Sequence, residues 1–199
     1  MVSIRINGED APVRAENCSH IAEIVELIKS VIDPDHMITN IQIDGRPLDD
    51  ADWLLQKGQL ETSIIEFDTG SPDDFVGERI AKAAEIVRGC YLEFRTARQK
   101  FQDGLSVEGN KQMVTAVEAL QAFFTWYGTL LEIMPEKKRS EYDITPFVEE
   151  LTSICKSICQ QQLYQSWWAL GESIQNRLEP QLDQLEGHCR KFQRYASVA

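Results

Sequence analysis

The stretch Thr69-Gly70-Ser71-Pro72-Asp73-Asp74 divides this sequence into two grammars. It is small and polar and contains both Gly and Pro, the composition of a linker. On its N-terminal side apolar residues alternate with a period of two. On its C-terminal side they recur at alternate spacings of four and three, the period of helices that share a seam. The reading is an α+β protein with a first domain over 1–69, a linker over 70–74 and a helical bundle over 75–199.

Working back from the linker, Thr62 to Phe67 reads as a closing strand rich in β-branched residues. At the start of the chain Val2-Ser3-Ile4-Arg5-Ile6 alternates and is followed by Asn7-Gly8, the dipeptide best suited to a two-residue hairpin turn at positive φ. Ala11 to Ala15 forms a second short run whose Pro12 suits an edge strand. Asn17 or Ser19 is placed to cap a helix with apolar residues Ile21, Val25, Ile28 and Ile32, and Asp33-Pro34-Asp35 stops it. Ile38 to Ile43 is a further strand, Asp44-Gly45 its turn, and Arg46-Pro47-Leu48 a short return.

That order, with Ile43-Asp44-Gly45-Arg46-Pro47-Leu48-Asp49-Asp50 as its most specific stretch, resembles the ubiquitin-like β-grasp family over about a third of the chain. The resemblance implies a small mixed sheet wrapped on one helix. It does not carry over conjugation or ubiquitin's partners. The domain runs on through Asp68-Thr69-Gly70 without a terminal Gly-Gly, and Gln42 stands where ubiquitin has an exposed isoleucine.

Working forward, Val76, Ile80, Ala83, Val87, Cys90, Phe94, Ala97 and Phe101 make an unbroken seam, and Gly104 stands where a helix C-terminus needs it. A second helix carries Met113, Val117, Leu120, Phe124, Tyr127, Leu131 and Met134 and ends at Pro135. Thr145 and Pro146 begin a third, with Phe147, Leu151, Ile154 and Ile158. Leu163, Trp167, Leu170, Ile174, Leu178, Leu182, Leu185, Cys189 and Phe192 form the last seam, where Pro180 predicts a kink or a boundary between two helices. The expected unit is an antiparallel bundle of four to five helices.

The formal net charge is −12, from 20 Lys+Arg against 32 Asp+Glu. Such acidity disfavours nucleic acid and anionic membrane as partners. No apolar run is long enough to span a bilayer and the N-terminus has no basic, then apolar leader, which predicts a cytoplasmic protein. Residues 1–70 hold 5 Lys+Arg and 14 Asp+Glu. The first domain therefore carries most of the acidity and is expected to dock a basic surface through Asp49, Asp50 and Asp52.

Catalytic constellations are missing from the pattern: there is no Gly-x-Ser-x-Gly elbow, phosphate loop or dinucleotide fingerprint, so no catalytic residue, cofactor or metal site is assigned. The nearest metal set, Cys155, Cys159 and His188-Cys189, fails on distance, because a helical hairpin turning near Leu163 leaves its members far apart along the rise. Five scattered cysteines read as reduced, mostly buried thiols.

The second helix is apolar over much of its circumference. Beside its main seam run Ala116, Ala119, Phe123, Trp126, Leu130 and Ile133, and such a helix must be covered on two sides. Either it is central in the bundle, or Phe123, Trp126, Leu130 and Ile133 bury against another chain. Trp168 is a further candidate anchor, since adjacent Trp167 and Trp168 cannot both face one core. The expected function is a non-enzymatic protein-interaction or adaptor protein that forms a homodimer or holds a client. Gln165-Ser166-Trp167-Trp168-Ala169-Leu170-Gly171-Glu172 with Leu178-Glu179-Pro180-Gln181-Leu182 is similar in helical pattern to the flagellin export chaperones, implying a bundle that holds apolar segments of a secreted partner. The alternative from another class is a small metal-dependent enzyme using an interdomain cleft.

Overall fold

A computed structural model describes residues 2–13, 18–55 and 62–194. The chain divides into two compact units, 1–75 and 76–199.

The first unit is a five-stranded sheet of order β2-β1-β5-β3-β4. β1 (Ser3–Ile6) pairs antiparallel with β2 (Glu9–Asp10) and parallel with β5 (Ile64–Gly70). β5 pairs antiparallel with β3 (Met37–Ile43), which pairs with β4 (Arg46–Pro47). Both hairpins turn at the expected dipeptides, with φ of 53° and 82° at Asn7-Gly8 and 51° and 80° at Asp44-Gly45. Both residues of each pair sit at positive φ, the requirement of the tight turn that matches strand twist. Helix α1 (Ile21–Lys29) buries Ile21, Ile24, Val25 and Ile28 against Ile4, Ile43, Ile65 and Phe67 of the sheet.

Two details differ from the sequence reading. The second strand begins at Glu9, directly after the turn; Ala15, where the expected run ended, and Asn17, an expected cap, lie outside the described residues. The other expected cap, Ser19, does not cap through its side chain; its N–H donates to Glu23 Oε2 at 2.5 Å.

Residues 70–74 are ordered. β5 runs through Gly70, and α2 (Pro72–Ile80) begins two residues later, its first turn closed by Asp74 N–H donating to Ser71 Oγ at 3.1 Å.

In the second unit the seam from Val76 to Phe101 is buried at all eight positions. Its helix is nevertheless interrupted at residues 81–82, where α2 gives way to α3 (Ala83–Gln102). α3 is central: it packs along α4 (Ser106–Ile133), α7 (Trp167–Ser173) and α8 (Glu179–Cys189). The short α5 (Glu136–Arg139) follows α4, and α6 (Thr145–Leu163) packs on α7 and α8. At the start of α6 it is Asp143 that accepts the orphan N–H of Thr145, at 2.9 Å. Pro180 lies in the first turn of α8 directly after a π-helical segment, Ile174–Leu178. A proline ring has no N–H and crowds the carbonyl four residues back, here Asn176, so the widened turn accommodates Pro180 without ending the helix.

α3 and α6 end in the same cap. Leu105 N–H donates to Lys100 O and Gly104 N–H to Phe101 O, while Ser166 N–H donates to Gln161 O and Gln165 N–H to Gln162 O. The left-handed residues are Gly104 and Gln165, at φ 78° and 52°. This 6→1, 5→2 pairing is the Schellman motif. The last seam keeps Leu170 through Phe192 buried, but Leu163 is exposed, because it belongs to the end of α6 and not to α7.

Candidate functional site

The buried line of α4 is Met113, Ala116, Leu120, Phe123, Tyr127, Leu130 and Met134. It bisects the two apolar stripes visible in the sequence, taking alternate residues from each. Phe123 and Leu130, expected to face another chain, are therefore core residues of the helical unit. Phe123 sits against the rings of Trp126 and Tyr127, with centroids 6.1 and 5.7 Å away. Tyr127 is anchored by donating its hydroxyl to Tyr142 O at 2.7 Å, and burial pushes its phenol far above the usual range. Trp126 and Ile133 flank the buried line and are half-buried.

The other flank opens into a groove. α4 and α6 stand apart, and between them lies a cavity of about 710 Å³. Its α4 wall is Met113, Val114, Val117, Leu120 and Phe124, and its α6 wall is Leu151, Cys155, Ile158 and Cys159. Volumes of this order are those of ligand and peptide-anchor sites. Gln162 Nε2 donates to Asn110 Oδ1 at 2.8 Å, tying the two walls at the end where α4 begins and α6 ends. From that tie the walls run antiparallel, with Glu118 lining the α4 side and Lys156 the α6 side. Cys155 is half-buried, its thiol pushed up to about 11 by burial, and Cys159 is exposed. Cys155 is therefore not activated as a nucleophile, since a reactive thiol needs a depressed pKa. Cys189, which with His188 completed the sequence-derived set, is buried in the core with its thiol pushed up to about 12 by burial. Among the described residues no group of three or more His, Cys, Asp and Glu is arranged to hold a metal ion.

The acidic segment of the first unit is built differently from a docking surface. Asp52 is buried, and Arg46 donates to both of its carboxylate oxygens at 2.6 Å. Asp49 N–H donates to Asp52 Oδ2 at 2.9 Å, and Asp49 Oδ1 in turn accepts from Ala51 and Asp52 N–H at 2.9 and 3.1 Å. The Arg46 hydrogen bonds, then that of Asp49, hold the Asp52 carboxyl down at about 2. Asp52 is thus a structural residue that closes the turn after β4, and Asp49 shares that work; Asp50 is exposed. The spacing of three aspartates in four residues signals a self-bonded turn as readily as an acidic patch, because Asp side chains bond local N–H groups.

Trp168 is 77% exposed, while its neighbour Trp167 stacks on Phe101. The sequence reading missed the groove itself. Val114 falls outside both stripes, and Cys155 with Cys159 marks one face of α6 without showing what lies opposite. No helix among the described residues is long and apolar enough to cross a membrane. The chain matches no protein-family model, and no curated protein or solved structure matches it either.

Proposed function

We propose that this chain is a non-enzymatic protein-interaction protein whose helical unit holds an amphipathic helix of a partner in the α4–α6 groove. The supporting observation is the groove: an open apolar trough of about 710 Å³ flanked by antiparallel helices. Helix-in-groove recognition uses apolar anchors at i, i+3 or i+4 and i+7. The α4 wall from Met113 to Phe124 spans roughly 16 Å at 1.5 Å per residue, room for three turns of such a helix. Glu118 on one rim and Lys156 on the other call for a partner stripe flanked by a basic residue on the α4 side and an acidic one on the α6 side. Holding an apolar partner segment is also what the resemblance to export chaperones implies.

The first unit is read as a β-grasp module. The order β2-β1-β5-β3-β4 with β1 and β5 parallel supports that reading. Its excess of exposed acidic residues, Asp50 among them, would steer a basic partner toward the chain. The shifted carboxylates favour a structural reading over an enzymatic one. Asp52 is held by Arg46, Asp44 by the Ile64 N–H and Asp143 by Thr145, so each perturbation has a partner that shapes a turn.

The test is fluorescence anisotropy with a panel of labelled helical peptides carrying a leucine stripe flanked by Lys on one side and Glu on the other. Stripe-dependent binding that weakens at least tenfold in Val114→Asp, an exposed wall residue, is expected. Binding by none of the panel, or binding indifferent to Val114→Asp, overturns the reading.

A further inference from the structure

Two thiols share one wall of the groove. Cys155 and Cys159 lie one helical turn apart in α6, and both line the cavity. Side chains four residues apart share a helix face, with Cβ atoms about 5–6 Å from one another. The charge of a Cys159 thiolate is among the causes that raise the Cys155 thiol, so the two sulfurs lie within electrostatic reach of each other. A disulfide needs its Cβ atoms about 3.5–4.5 Å apart. The pair therefore does not close on itself while α6 stays helical, whereas an ion inserted between the sulfurs spans the gap. Cys90 and Cys189, the other cysteines of the helical unit, are buried in its core.

The donors select the ion. Structural zinc takes four ligands, and among the described residues no third His, Cys, Asp or Glu completes the pair. Calcium and magnesium take oxygen donors in larger number. What remains is a cation satisfied by two thiolates, and copper(I) is the soft ion that accepts such a near-linear pair. Met113 on the α4 wall places a thioether, also a soft donor, in the lining of the same cavity. On binding, both thiols give up their protons to solvent and both sulfurs bond the metal. Two thiolates on a monovalent ion leave the site with net negative charge. Lys156, between the two cysteines in sequence and lining the same cavity, supplies a balancing cation.

We propose that Cys155 and Cys159 form a two-coordinate copper(I) site on the α6 wall of the groove. The site needs these two thiols and no partner chain, so it goes beyond the helix-binding reading and stands or falls independently of it.

Titration of the reduced full chain with copper(I) under anaerobic conditions, in competition with the chromophoric chelator bicinchoninate, tests this. The expected result is one copper ion per chain withheld from the chelator, with a thiolate-to-copper absorption band in the ultraviolet that grows in step. Cys155→Ser and Cys159→Ser should each weaken retention at least tenfold with unchanged far-ultraviolet circular dichroism. Cys18→Ser, in the first unit, should leave it unaltered. Zinc(II), titrated against a zinc-binding chromophore, should be held far more weakly than copper(I). A chain that withholds no copper overturns the proposal. So does retention indifferent to Cys159→Ser, a change at an exposed residue that leaves the core intact, and so does zinc held as tightly as copper.

Discussion

Phe101 and Trp167 stack with their ring centroids 5.7 Å apart and their planes 3° from parallel. The contact locks the end of α3 to the start of α7. Phe101 is also closely approached by Gly109 of α4: a Cβ on Gly109 would stand 2.8 Å from two of its ring carbons. One aromatic ring thus sets the approach of two helices at the tip of the helical unit.

Gly109→Ala tests that relationship. Alanine gains about 1 kcal/mol of helix propensity, but the ring it meets is buried and held by Trp167, so it cannot swing away. Overpacking of this kind costs about 1–3 kcal/mol. The variant should unfold at lower urea concentration than the parent.

Gln165→Gly should act in the opposite direction. A left-handed backbone costs a residue with a side chain about 1–2 kcal/mol, and glycine is free of that cost but loses more entropy on folding. Net stabilisation of about 0.5–1 kcal/mol is expected, seen as a raised thermal midpoint for the helical unit.

The Arg98–Glu179 pair fixes the register of α3 against α8. Arg98 Nε donates to Glu179 Oε1 at 2.6 Å with both side chains nearly buried, and Tyr91 Oη approaches Glu179 Oε2 at 3.5 Å. One heptad further along α8, buried Glu186 pairs with Arg88 at 3.6 Å and with Arg190. Removing one partner strands a buried charge, so Glu179→Ala should cost about 3–5 kcal/mol in chemical denaturation, whereas Arg98→Met with Glu179→Leu should restore most of it.

Acid acts on the first unit through Asp52. Its carboxyl titrates at about 2 when folded, against roughly 3.9 in an unfolded chain. The folded state therefore binds the proton less readily, and the stabilisation is fully present above about pH 4 and lost as pH falls through about 2. Amide resonances of residues 46–55 should report loss of structure in that window, and Asp52→Asn should lose the pH dependence there while starting from lower stability.

Thiol reactivity reads the groove directly. Near pH 8.5, the ordinary cysteine value, exposed Cys159 should alkylate first and half-buried Cys155 slowly. Cys90 and Cys189, pushed up by burial to about 11 and 12, should require unfolding. Mass spectrometry of each site gives the order, and a bound stripe peptide should protect both groove cysteines.

Local chemistry and period decided much of this protein in advance. Asn7-Gly8 and Asp44-Gly45 turn because of their backbone preferences, and the seam from Val76 to Phe101 is buried at every position because its spacing allows one face only. The tertiary structure alone decided which line of α4 is interior. Two overlapping stripes were equally apolar, and the choice depended on where α3 lay. The same holds for the break at residues 81–82, which the continuous seam concealed, and for the reassignment of Asp52 from a docking surface to an ion pair with Arg46. The groove between α4 and α6 and the exposed tip at Trp168 arise only when separate helices are brought together. A one-dimensional period specifies which residues must be covered, whereas the identity of what covers them depends on contacts between residues distant in the chain.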